Sequence, residues 1–231
     1  MTYSRRLHYL SCTKMRPLKS LVAASVLISG CNGMPVAFTQ DPVYDQAFVV
    51  HSGAPLPYIL MGTAIQWNED YAVTVKHIPY LSGSVYQGQG DVQFFRHKAN
   101  GVPLWRAYQP GEAVTAVGFN SVYMSVKGSG HALPAMVRLD SKEGNVMYGT
   151  HDGPTAKGMS GGPVFAADGK VVGITVAFLT SGDLTALKRP DLANQPRVSI
   201  FMPYAEINRE WNRYLAQAAP VAAPATHLAS R

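Results

Sequence analysis

Short runs of β-forming residues, separated by turns, dominate the central part of this 231-residue sequence. Between Asp41 and Pro203 there are about ten such runs, rich in the Val, Ile, Thr, Phe and Tyr that favour half-buried strands. The predicted strands are Ala47–Val50, Tyr58–Gln66, Tyr71–Lys76, Val92–Arg96, Ala113–Phe119, Ala135–Leu139, Asn145–Gly149, Pro163–Ala166, Val171–Phe178 and Val198–Met202. Many short strands without intervening helices predict an all-β domain, built as barrels or as a sandwich.

One turn and one helix are also predicted. Asp168-Gly169, between two apolar runs, indicates a two-residue hairpin turn in which both central residues have positive φ. In Tyr204–Leu215 the apolar residues recur at intervals of three and four, which predicts a helix with one apolar face. Residues 216–231 are rich in Ala and Pro, and we expect them to form a disordered tail.

The stretch Gly158-Met-Ser-Gly-Gly-Pro163 is the strongest chemical pattern in the sequence. Acyl transfer by a serine requires a hydroxyl presented at a tight turn and backbone N–H groups aimed at the developing oxyanion. Gly158 allows such a turn, and the amides of Gly158 and Ser160 would form the oxyanion hole. Gly161 and Gly162 would allow a close approach between the backbone and a ligand. The alternative is a glycine-rich turn before a strand, with no catalytic role. The six residues resemble the nucleophile motif of the trypsin-like serine proteases, which implies that Ser160 is the nucleophile.

The same resemblance implies a general base. Val73-Thr-Val-Lys-His77 ends a predicted strand and resembles the family's segment Leu-Thr-Ala-Ala-His. Gly62-Thr-Ala-Ile65 resembles the strand that precedes the catalytic histidine, with Ala64 in place of a second glycine. His77 is therefore the expected base. The histidines expected to be structural or terminal are His8, His51, His97, His131, His151 and His227.

The third member of a catalytic triad would orient the imidazole and stabilise its charged form. Asp91-Val-Gln-Phe-Phe-Arg96 resembles the family's strand Asp-Leu-Ala-Leu-Leu, which implies that Asp91 has this role. Only 14 residues separate His77 from Asp91, so the connection must be little more than a turn, supplied by the Gly- and Ser-rich residues 82–90. Asp70 is the alternative, but a six-residue strand would hold it roughly 20 Å from His77.

Motifs of this family occur in the same order over most of residues 45–203. The resemblance implies an all-β, chymotrypsin-like fold of two six-stranded antiparallel β-barrels, with a C-terminal α-helix docked against the second barrel. It also implies a serine endopeptidase that acts on protein or peptide substrates through an acyl-enzyme. The predicted divisions are a signal peptide (1–30), a linker (31–44), an N-terminal barrel (45–107), a C-terminal barrel (108–203), the helix (204–215) and the tail (216–231).

The resemblance also indicates which positions would line the specificity pocket. Pro154 stands where trypsin has a carboxylate, Thr175 where glutamyl-specific relatives usually have His, and Phe178 where an open pocket usually has Gly. We therefore expect a preference for small or medium-sized uncharged side chains.

In animal trypsins an aspartate precedes the serine and pairs with a newly cut N-terminus. Met159 stands at that position here, so activation by such a salt bridge is not expected, and the chain looks more like the bacterial branch of the family.

Residues 16–30 have the basic, apolar and small-residue regions of a secretory signal, and the apolar run Leu21–Ile28 is too short to span a bilayer. Leu27-Ile-Ser-Gly-Cys31 resembles the lipobox of bacterial lipoproteins, in which the cysteine becomes the N-terminus and carries the lipid. We expect an exported protein that is lipid-anchored at Cys31 to the periplasmic side of the cell envelope. If the lipobox is not used, the protein would be secreted with Cys31 as a free thiol.

Charge argues against nucleic acid as a partner. The formal net charge of +6 comes mostly from residues 1–30, which hold five basic residues and no acidic ones, leaving 15 basic and 14 acidic residues elsewhere. The nearly neutral remainder of the chain has no basic surface that would bind a polyanion.

The sequence shows no spacing of His and Cys residues that would bind a metal, and the expected chemistry requires no metal or cofactor. We expect a monomer.

Two other functions fit the same sequence. The first is a catalytically inactive or latent binding lipoprotein on the trypsin-like scaffold, because a fold does not guarantee activity. The second is a periplasmic quality-control protease. Such proteases usually append a peptide-binding domain, whereas only 28 residues follow Pro203 here.

Overall fold

A computed structural model describes the protein over residues 34–38, 41–42, 44–98, 101–139 and 144–218. The predicted signal peptide, the lipid attachment at Cys31 and residues 219–231 of the predicted tail lie outside the described residues. Within the described ranges, no helix is both long and apolar enough to cross a membrane.

The described residues form two antiparallel sheets. The strands are, in chain order, β1 (Val36–Ala37), β2 (Ala47–His51), β3 (Met61–Gln66), β4 (Tyr71–Thr74), β5 (Ser84–Gln87), β6 (Gln93–Arg96), β7 (Ala113–Phe119), β8 (Ser125–Val137), β9 (Tyr148–His151), β10 (Pro163–Ala166), β11 (Val171–Thr180) and β12 (Arg197–Pro203). Successive side chains point to opposite faces of each strand, and the buried apolar ones form three clusters in the described part of the chain, the largest of which joins residues of both sheets. Fully buried examples are Ile65, Val73 and Phe94 in the first sheet and Val164, Val172 and Phe201 in the second.

The second sheet closes into a barrel. Its strand order is β1-β8-β7-β10-β11-β12-β9, and an additional pairing between β8 and β9 closes a ring of six strands with β1 added outside it. The first sheet has five strands in the order β2-β3-β4-β6-β5. The chymotrypsin-like all-β fold is thus confirmed, and the second sheet is the predicted six-stranded barrel. The first sheet, which corresponds to the predicted N-terminal barrel, has five strands rather than six and no closing pairing in the described part of the chain.

The hairpin between β10 and β11 forms where the sequence predicted it, but with a different turn. The N–H of Gly169 donates to the Ala166 carbonyl at 3.0 Å, and the N–H of Ala166 donates to the Lys170 carbonyl at 2.9 Å. Gly169 has φ of 76°, whereas Asp168 is not among the positive-φ residues. The prediction of a two-residue turn is wrong, because Ala167 joins the loop and only one residue needs the left-handed conformation.

Helices occur at the C-terminal end of the described chain. They are α1 (Ser181–Ala186), a 3-10 helix (Pro190–Leu192) and α2 (Tyr204–Ala218). Helix α2 begins at the predicted residue and ends three residues later than predicted. It contacts β11 and β12 of the second barrel, as expected. Its aromatic face, however, lies on the first sheet, where the Trp211 ring is 5.0 Å from the rings of Tyr71 and Phe94.

Candidate active site

His77 and Asp91 lie side by side at one end of the first sheet, just after β4 and just before β6. The His77 Nδ1 atom is 2.5 Å from the Asp91 Oδ2 atom, and the His77 backbone N–H donates to Asp91 Oδ1 at 2.9 Å. Strands β4 and β6 pair with Thr74 opposite Gln93, so the chain just after β4 lies beside the chain just before β6. This register brings the two side chains together. Asp91 is buried, whereas the His77 side chain is 48% exposed and accessible to a substrate.

The alternative aspartate, Asp70, lies at the opposite end of β4, where Tyr71 pairs with Arg96. The connection from His77 to Asp91 is more than the predicted turn. It contains strand β5, which pairs with β6 as the edge of the sheet. A 14-residue separation is therefore long enough for an extra strand, because antiparallel neighbours need only short turns between them.

Two polar residues that were not predicted from the sequence hold His77 and Asp91 in place. The Tyr148 hydroxyl, from β9 of the second barrel, accepts a hydrogen bond from the Asp91 N–H at 2.9 Å. The Gln93 side-chain amide donates to the carbonyls of Val75 and Ile78, each at 2.8 Å, on either side of His77. The sequence signal that could have identified Gln93 is a glutamine between the apolar residues of a predicted strand. Tyr148 had no such signal, because it reads as an ordinary strand residue.

Ser160 lies in the turn before β10, and strand β3 of the first sheet holds that turn. The Thr63 hydroxyl donates to the Gly158 carbonyl at 2.8 Å and accepts from the Phe119 N–H at 3.0 Å. The Thr63 N–H donates to the Ser160 carbonyl at 2.8 Å. Gly158 has φ of 96°, a conformation that favours glycine. The candidate nucleophile turn, which carries Ser160, is therefore held by contacts with both sheets.

Gly161 allows the turn to approach the first sheet. Its φ is 84°, and a Cβ atom there would lie 2.1 Å from both the Thr63 carbonyl oxygen and the Thr74 Oγ1 atom. The sequence predicted that this glycine allows a close approach between backbone and ligand. The close neighbours are instead strands β3 and β4, the second of which leads directly to His77.

Two backbone amides of the turn are available for an oxyanion. In the described part of the chain, the N–H groups of Gly158 and Ser160 donate to no acceptor. The N–H groups of Met159 and Gly161, in contrast, donate to backbone carbonyls at 3.1 and 2.7 Å. The two unoccupied donors are the two that the sequence predicted for the oxyanion hole.

The Ser160 hydroxyl does not reach the imidazole in this structure. It donates to the Val176 carbonyl at 3.4 Å, and no hydrogen bond joins it to His77 among the described residues. The two residues are nevertheless in neighbouring segments. A Cβ at Gly62 would lie 2.9 Å from the Ser160 carbonyl oxygen and 3.0 Å from Cδ1 of Ile78, the residue after His77.

The sequence model of the trypsin-like peptidase domain matches residues 40–174, more than half of the chain. The chain belongs to the trypsin-like peptidase family. No curated protein matches the sequence of this peptidase. The family assignment and the fold together indicate peptide-bond hydrolysis.

Solved structures of bacterial proteases share the fold of this trypsin-like peptidase at low sequence identity. The active form of the Rv3671c protease from M. tuberculosis is 16% identical with a TM-score of 0.57, over 91% of this chain and 94% of that one. The HtrA-type protease AlgW with a tripeptide is 13% identical with a TM-score of 0.61, over 76% and 62%. The serine endoprotease from Yersinia pestis is 14% identical with a TM-score of 0.55, over 78% and 69%.

The three positions predicted for the specificity pocket of this trypsin-like peptidase differ in their surroundings. Phe178 lines a cavity of about 400 Å³, whereas Pro154 and Thr175 are not among its described lining residues. The Thr175 backbone exchanges hydrogen bonds with Gly161 and Gly162 behind the nucleophile turn. Thr175 therefore supports the turn rather than lining the cavity. In the described part of the peptidase, no group of three or more His, Cys, Asp or Glu side chains is placed to hold a metal ion.

Proposed function

We propose that this trypsin-like peptidase is a serine endopeptidase that uses Ser160, His77 and Asp91 as its catalytic triad. The observation that carries the proposal is the pair of hydrogen bonds between Asp91 and His77. These bonds hold the imidazole with Nδ1 toward the carboxylate, so Nε2 is the nitrogen left to face a nucleophile. The nucleophile turn, held by Thr63, lies in the adjoining segment.

The proposed reaction has two acyl-transfer steps. In the first, the Ser160 oxygen bonds to the scissile carbonyl carbon while His77 takes the hydroxyl proton. His77 then gives that proton to the leaving amine as the C–N bond breaks, which leaves an acyl-enzyme. In the second, a water molecule attacks the ester with His77 again as base, and the product acid leaves as Ser160 regains its proton.

The amides of Gly158 and Ser160 would stabilise the tetrahedral oxyanion in both steps. Preorganised donors of this kind lower the barrier because they cost no reorganisation when charge develops. Attack also requires the Ser160 hydroxyl to leave the Val176 carbonyl and donate to His77. A rotation about the side-chain Cα–Cβ bond is the movement that would achieve this.

The orientation of Ser160 also favours a second candidate function. A hydroxyl that donates to Val176 rather than to His77 is what a latent enzyme or an inactive binding protein on the same scaffold would show. Turnover separates the two candidates, because only an active triad hydrolyses peptide bonds.

Hydrolysis of fluorescently quenched casein tests the proposal with wild-type protein, Ser160→Ala and Asp91→Asn. We expect turnover by the wild type and none above background by Ser160→Ala. We expect kcat for Asp91→Asn to fall by roughly 10³–10⁴-fold, because the imidazole is then held in the wrong tautomer. Full activity in Ser160→Ala, or equal activity of Asp91→Asn and wild type, would contradict these roles.

Export and lipid attachment at Cys31 are a further part of the proposal, supported by the lipobox-like sequence. Metabolic labelling of expressing cells with an alkyne fatty acid tests this part, and Cys31→Ser is the matched control. We expect label on the wild type alone. Equal labelling of both proteins, or of neither, would count against the anchor.

A further inference from the structure

A cavity of about 400 Å³ is lined in part by two chain segments that lead to the turn carrying Ser160 and to the carbonyl that Ser160 contacts. Residues Thr155, Ala156 and Lys157 line one side and lead directly into the turn at Gly158. Phe178 lines another side and follows by two residues the Val176 carbonyl that contacts Ser160. A side chain next to a bond held at Ser160 would therefore enter this cavity.

The charged residues of this cavity are basic. Arg197 and Lys157 are among its described lining residues, and that lining contains no Asp or Glu. The Arg197 guanidinium stacks on the Phe178 ring, 3.7 Å from its centroid, and donates to the Thr155 carbonyl. Phe178 therefore orients a cation in the cavity as well as narrowing it.

Buried hydrogen bonds fix the wall beside Arg197. The Thr155 and Ser199 hydroxyl oxygens are 2.9 Å apart, and the Ser199 hydroxyl donates to the Gly153 carbonyl at 2.6 Å. Ser199 lies two residues after Arg197 on β12, so the strand that carries the guanidinium is tied to the segment that leads to the nucleophile. A site held this way is preorganised for its ligand.

We propose that this cavity binds an acidic side chain, Asp or Glu, at the position just before the scissile bond, and that Arg197 is the specificity-determining residue. A guanidinium pairs with a carboxylate through two parallel N–H···O bonds, which a neutral amide cannot match. The inference rests on the proposed endopeptidase function. It replaces the sequence-based expectation that the pocket prefers uncharged side chains. No sequence motif around Arg197 indicated that this residue would reach the pocket.

Peptides that differ only in the residue before the scissile bond test the inference. Peptides with Glu, Gln, Leu or Lys at this position are compared by kcat/KM in wild-type protein and in Arg197→Met. Lys170→Met is the control, because it removes a partly exposed cation from the β10–β11 loop. We expect the wild type and Lys170→Met to cleave after Glu about 10- to 100-fold faster than after Gln, the range for a hydrogen bond to a charged group. We expect this ratio to fall to about one in Arg197→Met.

A wild-type preference for Gln, Leu or Lys over Glu would overturn the inference, as would a Glu/Gln ratio unchanged in Arg197→Met. The melting temperature of each variant accompanies the kinetics, so that a folding defect is recognised. Calorimetric binding of the Glu and Gln peptides to Ser160→Ala separates this inference from the proposed function. If no peptide is cleaved, the endopeptidase function fails, while tighter binding of the Glu peptide still supports the acidic pocket and equal binding overturns it.

Discussion

At the scale of single residues, Thr63 joins the two barrels at the nucleophile turn. It is fully buried, and its hydroxyl bonds the Gly158 carbonyl and the Phe119 N–H at once. Its backbone N–H also bonds the Ser160 carbonyl. The turn that presents the serine therefore depends on a side chain from the other barrel.

Replacement of Thr63 by Val removes the hydroxyl and keeps the shape. One buried and one partly buried backbone group lose their partner, so we expect the free energy of unfolding to fall by about 2–4 kcal/mol. Thr63→Ser keeps the hydroxyl and should retain most of the stability. Urea denaturation of both variants measures the difference, and a Thr63→Val protein as stable as Thr63→Ser would show that these bonds do not matter.

His151 is a second residue whose surroundings have a measurable consequence. It is fully buried, and neither ring nitrogen has a hydrogen-bond partner in the described part of the chain. Burial lowers the pKa of His151 from 6.5 to about 4, against a smaller opposing effect of Asp152. The unfolded chain therefore binds the proton more readily than the folded protein.

This difference predicts a loss of stability in acid. Stability due to neutral His151 is complete above the unfolded pKa of 6.5 and is lost as the pH falls toward 4, by about 3 kcal/mol. Denaturation curves between pH 7 and pH 4 measure the loss. We expect a shallower pH dependence in His151→Leu and an unchanged one in His131→Gln, whose histidine is exposed. Identical slopes in wild type and His151→Leu would disprove the assignment.

At the scale of elements, helix α2 supports the segment that leads to Asp91. The buried Glu210 carboxylate accepts from the Tyr86 hydroxyl at 3.1 Å and from the Gln89 N–H at 2.9 Å. Tyr86 lies on β5, and Gln89 lies two residues before Asp91. The helix therefore holds the edge strand and the loop that lead to Asp91.

Glu210→Ala should loosen this loop, since three donors lose their acceptor: the Tyr86 hydroxyl, the Gln89 N–H and the Arg213 guanidinium. We expect a loss of about 1–3 kcal/mol in stability and faster hydrogen exchange of the amides at residues 88–91. Glu206→Ala is the matched control on the same helix, because among the described residues Glu206 bonds Arg209 of that helix and not residues 84–91. Equal exchange rates at residues 88–91 in the two variants would argue against a role for Glu210.

The elements that the sequence predicted well are those whose side-chain pattern alone fixes them. Strand β7 and helix α2 have clear periods of apolar residues, and both begin at the predicted positions. Strand β5 and most of β8 were missed, since Ser84–Gln87 and Ser125–Gly130 are largely polar or glycine-rich. Their strand conformation comes from pairing with β6 and β7, which a local pattern does not reveal.

At the scale of the whole molecule, the approach of the two barrels depends on Gly161. We expect Gly161→Ala to cost about 3–5 kcal/mol, because it adds positive-φ strain to an overlap with β3 and β4. Gly169→Ala is the control, with a similar φ and no neighbour within 4 Å of the added Cβ. It should cost only about 1–2 kcal/mol. Thermal unfolding compares them, and equal melting temperatures would contradict a barrel contact at Gly161.

The candidate site was predictable where its residues lie in compact motifs. The segments around His77, Asp91 and Ser160 resemble family motifs, and the structure pairs His77 with Asp91. The supporting contacts of Thr63 and Tyr148 were not predictable, because each joins residues from different barrels. Arg197 lies 37 residues after Ser160, so only the folded chain brings it to the cavity beside the turn.

The most direct test of the proposed triad is covalent labelling of wild-type protein by a fluorophosphonate probe, beside Ser160→Ala and His77→Ala. Such a probe reacts with a serine only when a base and an oxyanion hole activate it. We predict labelling of the wild type and none of either variant. A folded wild-type protein that stays unlabelled, or a His77→Ala variant that labels as fast as wild type, would contradict a triad at this site.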